Sequence, residues 1–462
     1  MPPRFHAMVF RSSVTLILLR LTIGICLLMG ATYGFSFDAR NAIARAEALL
    51  KTGDLVLARS YLAPALIDPR LSSSERAHAY YTRGFSFQKE RLFVSAAADY
   101  HRALEFDANN ATVISALASL HVDGLGADAL PTVARELLPH AAEAGVVEAQ
   151  TLLGYLSLRG IGTHADLAVA REWFEKAAAA GSARAMLEIA HTYRRPWTDP
   201  PDAAAALSWL ERAAAAGLPR ALTIAGYMAE RGEFGKPDLP RARSFFEQAA
   251  AADEGLAAAK LAHFLLDGTA GPRDSQRAFK LFHIAAAQDL PAGFSGLAYL
   301  YDAGIGTRQD ASRARRWRER AAEAGDIDAQ RHLAIDARAR GDSAALARWL
   351  SLAAGQQDPW ALNAYAWMLS TTHGRSSRDG TRALRYAQHA VALKRSASHL
   401  DTLAAASAEA GHYDAAVEFQ REALRLISQE TDSPEARAAL KVEFEARLAS
   451  YQQGRPWREP AT

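Results

Sequence analysis

A pair of alanines recurs at positions 141, 177, 213, 249, 285 and 321, always 36 residues apart. Six occurrences in one phase restrict the chain to an array of similar supersecondary units, each burying its apolar face on the next. Seven residues before each pair stands another alanine, at 134, 170, 206, 242, 278 and 314. A large apolar residue follows three positions on: Leu137, Trp173, Trp209, Phe245, Leu281 and Trp317. Asp166, Asp202, Asp238, Asp274 and Asp310 precede five of these alanines by four residues.

Each column has a physical role. An aspartate at a helix start accepts hydrogen bonds from the first free backbone N–H groups and complements the helix dipole. Residues four, seven and eleven positions later fall on one helical face. The large side chain fills space there while alanines let helix axes approach. Gly145, Gly181, Gly217 and Gly325 suit the left-handed turn that ends such a helix, and Asp253 and Asp289 replace them in two units.

The other half of each unit reads as a second helix, clearest in PAGFSGLAYLYDAGIGTRQD from Pro291 to Asp310. Gly304-Ile305-Gly306 and Gly160-Ile161-Gly162 read as turns rather than a phosphate loop, because no strand precedes them. One unit carries a proline-rich loop, HTYRRPWTDPPD, in that place. The unit from Ile327 to Gly341 is four residues short, with the deletion in its turn. The expected fold class is all-α.

The stretch GLAYLYDAGIGTRQDASRARRWRERAAEAG resembles the Sel-one-like repeat, a relative of the tetratricopeptide repeat. That resemblance spans about residues 111–358. It implies an alpha-alpha superhelix, a right-handed solenoid of helix hairpins that binds other proteins. Residues 37–110 look like tetratricopeptide repeats, with Gly84, Phe87, Ala96, Tyr100 and Ala103 in the matching places. Residues 359–430 resemble a further such module, marked by Trp367, Arg378-Asp379-Gly380, Leu400-Asp401-Thr402-Leu403 and Ala415-Ala416. Within 431–462 a capping helix is expected from Pro434 to about Tyr451, then a mobile tail from Gly454.

The first 36 residues follow the order basic, apolar, small, with Arg4, Arg11 and Arg20 and no acid before Asp38. This is the grammar of a secretory signal. Two readings stand: a cleaved signal, or an uncleaved anchor through residues 14–34. Both send the remaining chain outward, into a bacterial periplasm. The whole chain has 53 basic and 51 acidic residues; without those three arginines the balance is 50 to 51, a net charge of −1. Cys26, the single cysteine, also lies in this segment. The exported part then lacks both the basic excess that nucleic-acid binding needs and any thiol for catalysis or metal binding.

No metalloprotease helix, phosphate loop, nucleophile elbow or calcium loop occurs, so no catalytic residue, cofactor or metal is assigned. His389, His399 and His412 are read as surface residues, not a metal set. One column is not required by packing: Tyr155, His191, Tyr227, His263 and Tyr299, again 36 apart. In the tetratricopeptide scheme this position lines the concave face. The rings either contact a bound peptide or pack on the neighbouring helix. Arg184, Arg194, Arg195 and Arg231 fall on the same surface, which favours an acidic segment of a protein partner. Trp197, in the proline-rich loop, is a further anchor candidate or folds back on the array. The expected function is a non-enzymatic envelope scaffold. A carbohydrate-contacting accessory of polysaccharide export and an envelope hydrolase are the alternatives.

Overall fold

The computed structural model describes residues 38–125, 130–194, 196–374, 378–427 and 433–459. The signal or anchor segment expected at 1–36 lies outside them. Among the described residues there are 23 helices, numbered α1 to α23 in chain order, and no strand. None of these helices is long and apolar enough to cross a membrane. The residues up to Leu218 and those from Pro219 form two compact units.

The first unit opens with two hairpins, α1 (Ala39–Thr52) with α2 (Leu55–Leu66) and α3 (Ser73–Lys89) with α4 (Phe93–Phe106). Gly84 lies directly beneath the buried ring of Tyr100. Then come α5 (Ala111–Val122), α6 (Pro131–Glu143), α7 (Val147–Arg159), α8 (Leu167–Ala179), α9 (Ala183–Thr192) and α10 (Ala203–Ala215). The second unit continues with α11 (Arg220–Arg231), α12 (Leu239–Ala251), α13 (Gly255–Asp267), α14 (Ser275–Ala287), α15 (Pro291–Ala303), α16 (Ala311–Glu323), α17 (Ile327–Ala339) and α18 (Ser343–Gly355). It ends in α19 (Pro359–Thr371), α20 (Gly380–Leu393), α21 (Ala397–Glu409), α22 (Tyr413–Leu426) and α23 (Pro434–Gln452). Within each unit every helix packs on its sequence neighbours, which is the organisation of a helical-repeat solenoid.

The aspartate column caps as expected. Asp166, Asp202, Asp238, Asp274 and Asp310 each accept a backbone N–H from the first turn of the helix they precede. Each also uses its own N–H, which donates to a carbonyl nine residues back, at Ser157, Tyr193, Ala229, Leu265 and Tyr301 respectively. One residue therefore starts a helix and closes the loop before it. In the shortened unit the bond spans five residues, from Asp342 N–H to the Ala337 carbonyl, which places the four-residue deletion in the loop. Gly145, Gly181, Gly217 and Gly325 all have positive φ, and so do Asp253 and Asp289 in their places.

Two expectations need correcting. The tightest hairpin runs across the glycine turn, so the Ala-Ala helix is its second helix, not its first. The fully buried large side chain is also one place later than the column chosen from sequence. Leu138, Phe174, Leu210, Phe246 and Phe282 are fully buried, whereas Trp173, Trp209 and Trp317 are only half-buried. Eight residues after the cap, a side chain turns towards the paired helix, where Gly154 and Gly226 make room for the rings of Phe174 and Phe246. The half-buried tryptophans instead carry a cation on the ring, from Lys176 at 4.1 Å, Arg212 at 3.7 Å and Arg320 at 5.0 Å.

Two more corrections fall in the last hairpins. His399 is buried, with its Nδ1 2.6 Å from Ser396 Oγ. The segment after α23 is not a free tail: residues 454–459 are laid against the helices before it.

Candidate functional site

The candidate surface lies on the first helices of the hairpins. In the first unit α7 approaches α9; in the second α11 approaches α13 and α13 approaches α15, while the Ala-Ala helices between them make no comparable approach. The first helices thus line the inner side of each unit.

In the first unit the column supplies Tyr155 on α7 and His191 on α9, both half-buried. Arg159, one turn after Tyr155, holds its guanidinium carbon 5.6 Å from the Tyr155 ring and 5.6 Å from the Trp197 ring. Trp197 therefore folds back across the hairpin, half-buried, and the two aromatic rings share one cation. Glu188 on α9 stands within the field of Arg184 and Arg159. Burial raises its pKa above the ordinary carboxylate range, against the pull of those two arginines. Arg184 is exposed and pairs with Glu148 at 3.0 Å. Arg194 is half-buried and makes an interaction of its own, and Arg195 lies outside the described residues.

The proline-rich loop that carries Trp197 is held by Arg171 of α8. Its Nε donates to Thr192 Oγ1 at 2.9 Å, and its Nη2 donates to the Thr192 carbonyl at 2.9 Å and to Thr198 Oγ1 at 3.0 Å. The same guanidinium lies 4.2 Å over the Tyr193 ring. Arg135 and Arg243 occupy the same place in the period and reach Ser157 Oγ and the Thr269 carbonyl. This arginine follows the invariant alanine, so the signal was present in the sequence at a position that looked like an ordinary exposed face.

In the second unit Tyr227 packs edge-on against Phe246 at 5.3 Å and His263 edge-on against Phe282 at 5.1 Å. Partial burial of the His263 imidazole lowers its pKa; Asp267 raises it and Lys260 adds to the lowering. Lys260 lies 5.6 Å over the Tyr227 ring and pairs with Glu230 at 2.9 Å. Tyr299 is 56% exposed, and Arg231 is exposed at the end of α11. The column thus does two things: one edge of Tyr227 and His263 packs on a buried phenylalanine, and Tyr299 is left open.

Chemically, the inner side of each unit offers flat rings and paired cations, and that of the first unit adds a carboxyl whose charge burial disfavours. Among the described residues no group of three or more His, Cys, Asp or Glu is placed to hold a metal ion.

The Sel1 repeat family matches residues 147–182, 183–218, 219–254, 255–290 and 295–326. Each full match begins at or one residue before the first helix of a hairpin, the phase found in the structure. No curated protein sequence matches the chain. Among solved structures, a Sel1 repeat protein from Oxalobacter formigenes is 25% identical, covering 52% of this chain and 96% of that one, with a TM-score of 0.41. A protective antigen of uropathogenic Escherichia coli displaying an SLR fold is 21% identical over 93% and 92% of the two chains, with a TM-score of 0.47. Yeast Tom70 is 14% identical over 90% and 96%, with a TM-score of 0.29. Residues 147–290 and 295–326 are therefore Sel1 repeats carried within this chain.

Proposed function

We propose that this protein is a non-enzymatic scaffold of the bacterial cell envelope that holds a protein partner on the inner side of its repeats. The observation that carries this reading is the Tyr155–Arg159–Trp197 cluster beside Glu188. Packing a repeat does not require a tryptophan without periodic counterpart to be folded onto a shared cation. Nor does it favour a carboxyl held where burial penalises its charge. Rings and charges of this kind are what anchor a partner's peptide or loop. The arginines that face this surface suit an acidic segment, although Arg184 already shares its charge with Glu148. The basic–apolar–small order of residues 1–36 supports export.

The test is site-specific photo-crosslinking in intact cells, followed by fractionation. A crosslinker at Tyr155 or Tyr299 is expected to capture one discrete partner in the envelope fraction. The same group on the outer face, at Glu175, is expected to capture none. Replacing Tyr227 and Tyr299 together by Ala should reduce capture without unfolding the chain. Unchanged capture, or recovery of the protein only from cytosol, overturns the reading.

A further inference from the structure

The segment after α23 carries an observation separate from the Tyr/His column. Residues 455–459 have no regular secondary structure and lie against α17, α19, α21 and α23. Trp457 packs on the buried cluster of Ala404, Ala405, Ala408, Ala416 and Tyr451, with the Arg447 guanidinium 5.7 Å from its ring. Arg458 pairs with Glu409 at 2.6 Å and donates to the Ser370 carbonyl at 3.1 Å. Glu459 accepts from the Trp367 indole N–H at 2.6 Å and from Arg338 at 3.4 Å, and its own N–H donates to the Thr371 carbonyl at 3.2 Å.

Three successive side chains are therefore each met by a different chemistry: an apolar shelf, a buried acid and an indole donor. The Glu409 side chain is only 13% exposed and already pairs with Arg378. The Ser370 and Thr371 carbonyls end α19, where intrahelical partners run out, and they are satisfied by the segment instead. A main-chain bond to the segment, here from the Glu459 N–H to the Thr371 carbonyl, combined with side-chain subsites, is a general pattern of peptide recognition. Since α19 approaches α21, these subsites lie on the inner side of the last hairpins.

We propose that α17, α19, α21 and α23 form a peptide-recognition site and that residues 455–459 are its tethered ligand. In trans the site takes an extended partner segment that presents an aromatic residue, a cation and an acid in succession. A short tether gives its ligand an effective concentration in the millimolar range, so a free peptide competes poorly while the segment is seated.

The experiment uses the full chain with Trp457→Ala, Arg458→Ala and Glu459→Ala, and a fluorescent synthetic peptide of residues 454–462 read by anisotropy. Saturable binding to this variant is expected, at least about tenfold tighter than to the parent chain. A peptide carrying Arg458→Glu should lose that binding. A variant with unchanged helical circular dichroism that takes up no peptide overturns the proposal, as does equal binding to variant and parent. Should the triple variant not fold, Arg458→Ala alone must bind the peptide more tightly than the parent, and equal affinity again overturns the site.

Discussion

Gly154 on α7 lies so close to Phe174 on α8 that a methyl group there would sit 2.6 Å from the ring. The pair fixes how deeply the two helices of this hairpin nest, because a fully buried ring has no room to retreat. Gly154→Ala is expected to destabilise the chain despite better helix propensity. Overpacking costs about 1–3 kcal/mol, against a gain of about 0.5–1 kcal/mol for alanine in a helix. Urea unfolding should show a lower midpoint, and adding Phe174→Leu should recover part of the loss.

Arg171 makes three hydrogen bonds to the loop that bears Trp197. Arg171→Ala is expected to release that loop while the helices stay intact. Hydrogen bonds to a charged group contribute about 1.5–3 kcal/mol, so a loss of about 2 kcal/mol should be seen. The emission assigned to Trp197, by difference from a Trp197→Phe chain, should shift to the red.

Glu188 has a folded-state pKa above its unfolded one, chiefly from burial. Such a carboxyl costs nothing where it is protonated in both states. The cost appears as pH rises through the interval between the unfolded and folded values, and is constant above it. Glu188→Gln should therefore melt higher than the parent at about pH 7 and equally at about pH 4. A variant that is less stable at neutral pH would mean that the attraction of Arg159 and Arg184 outweighs the burial. If Glu188→Gln gains stability and loses partner capture, the carboxyl is retained for binding.

Arg447 on α23 is paired with Asp401 at 2.7 Å, and both side chains are nearly buried. Its guanidinium also lies 4.8 Å over Trp367 and 5.4 Å over Phe444. Removing one partner strands the other charge, at a cost of about 3–5 kcal/mol. Arg447→Ala should loosen α23 first, so hydrogen exchange in Pro434–Gln452 should rise before that in α19.

The parts of this chain that were legible in its sequence are those that repeat. The capping aspartates, the alanine columns and the left-handed glycines each do one job many times, and a period exposes them. The Phe174 column has the same period but was hidden beside the larger Trp173, whose size suggested the buried role. Its last place is Arg318, which bonds to Asp302 rather than filling a core, and this further blurs the pattern. Arg171 also recurs in phase, but an arginine on a helix looks solvent-facing until its loop is seen. The contacts of Trp197 and of residues 455–459 have no periodic counterpart among the described residues. They depend on which surfaces the stacked hairpins bring within reach, and only coordinates supply that.

The nine-residue bond from each aspartate N–H seals a hairpin without involving the residues in between. Gly-Ile-Gly and a proline-rich stretch are closed by the same latch, so the repeat's frame is insulated from what its loop contains. That separation makes the loop a place for inheritable novelty. A foreign sequence of similar length grafted between Tyr193 and Asp202 could change what the protein meets without changing how it stands.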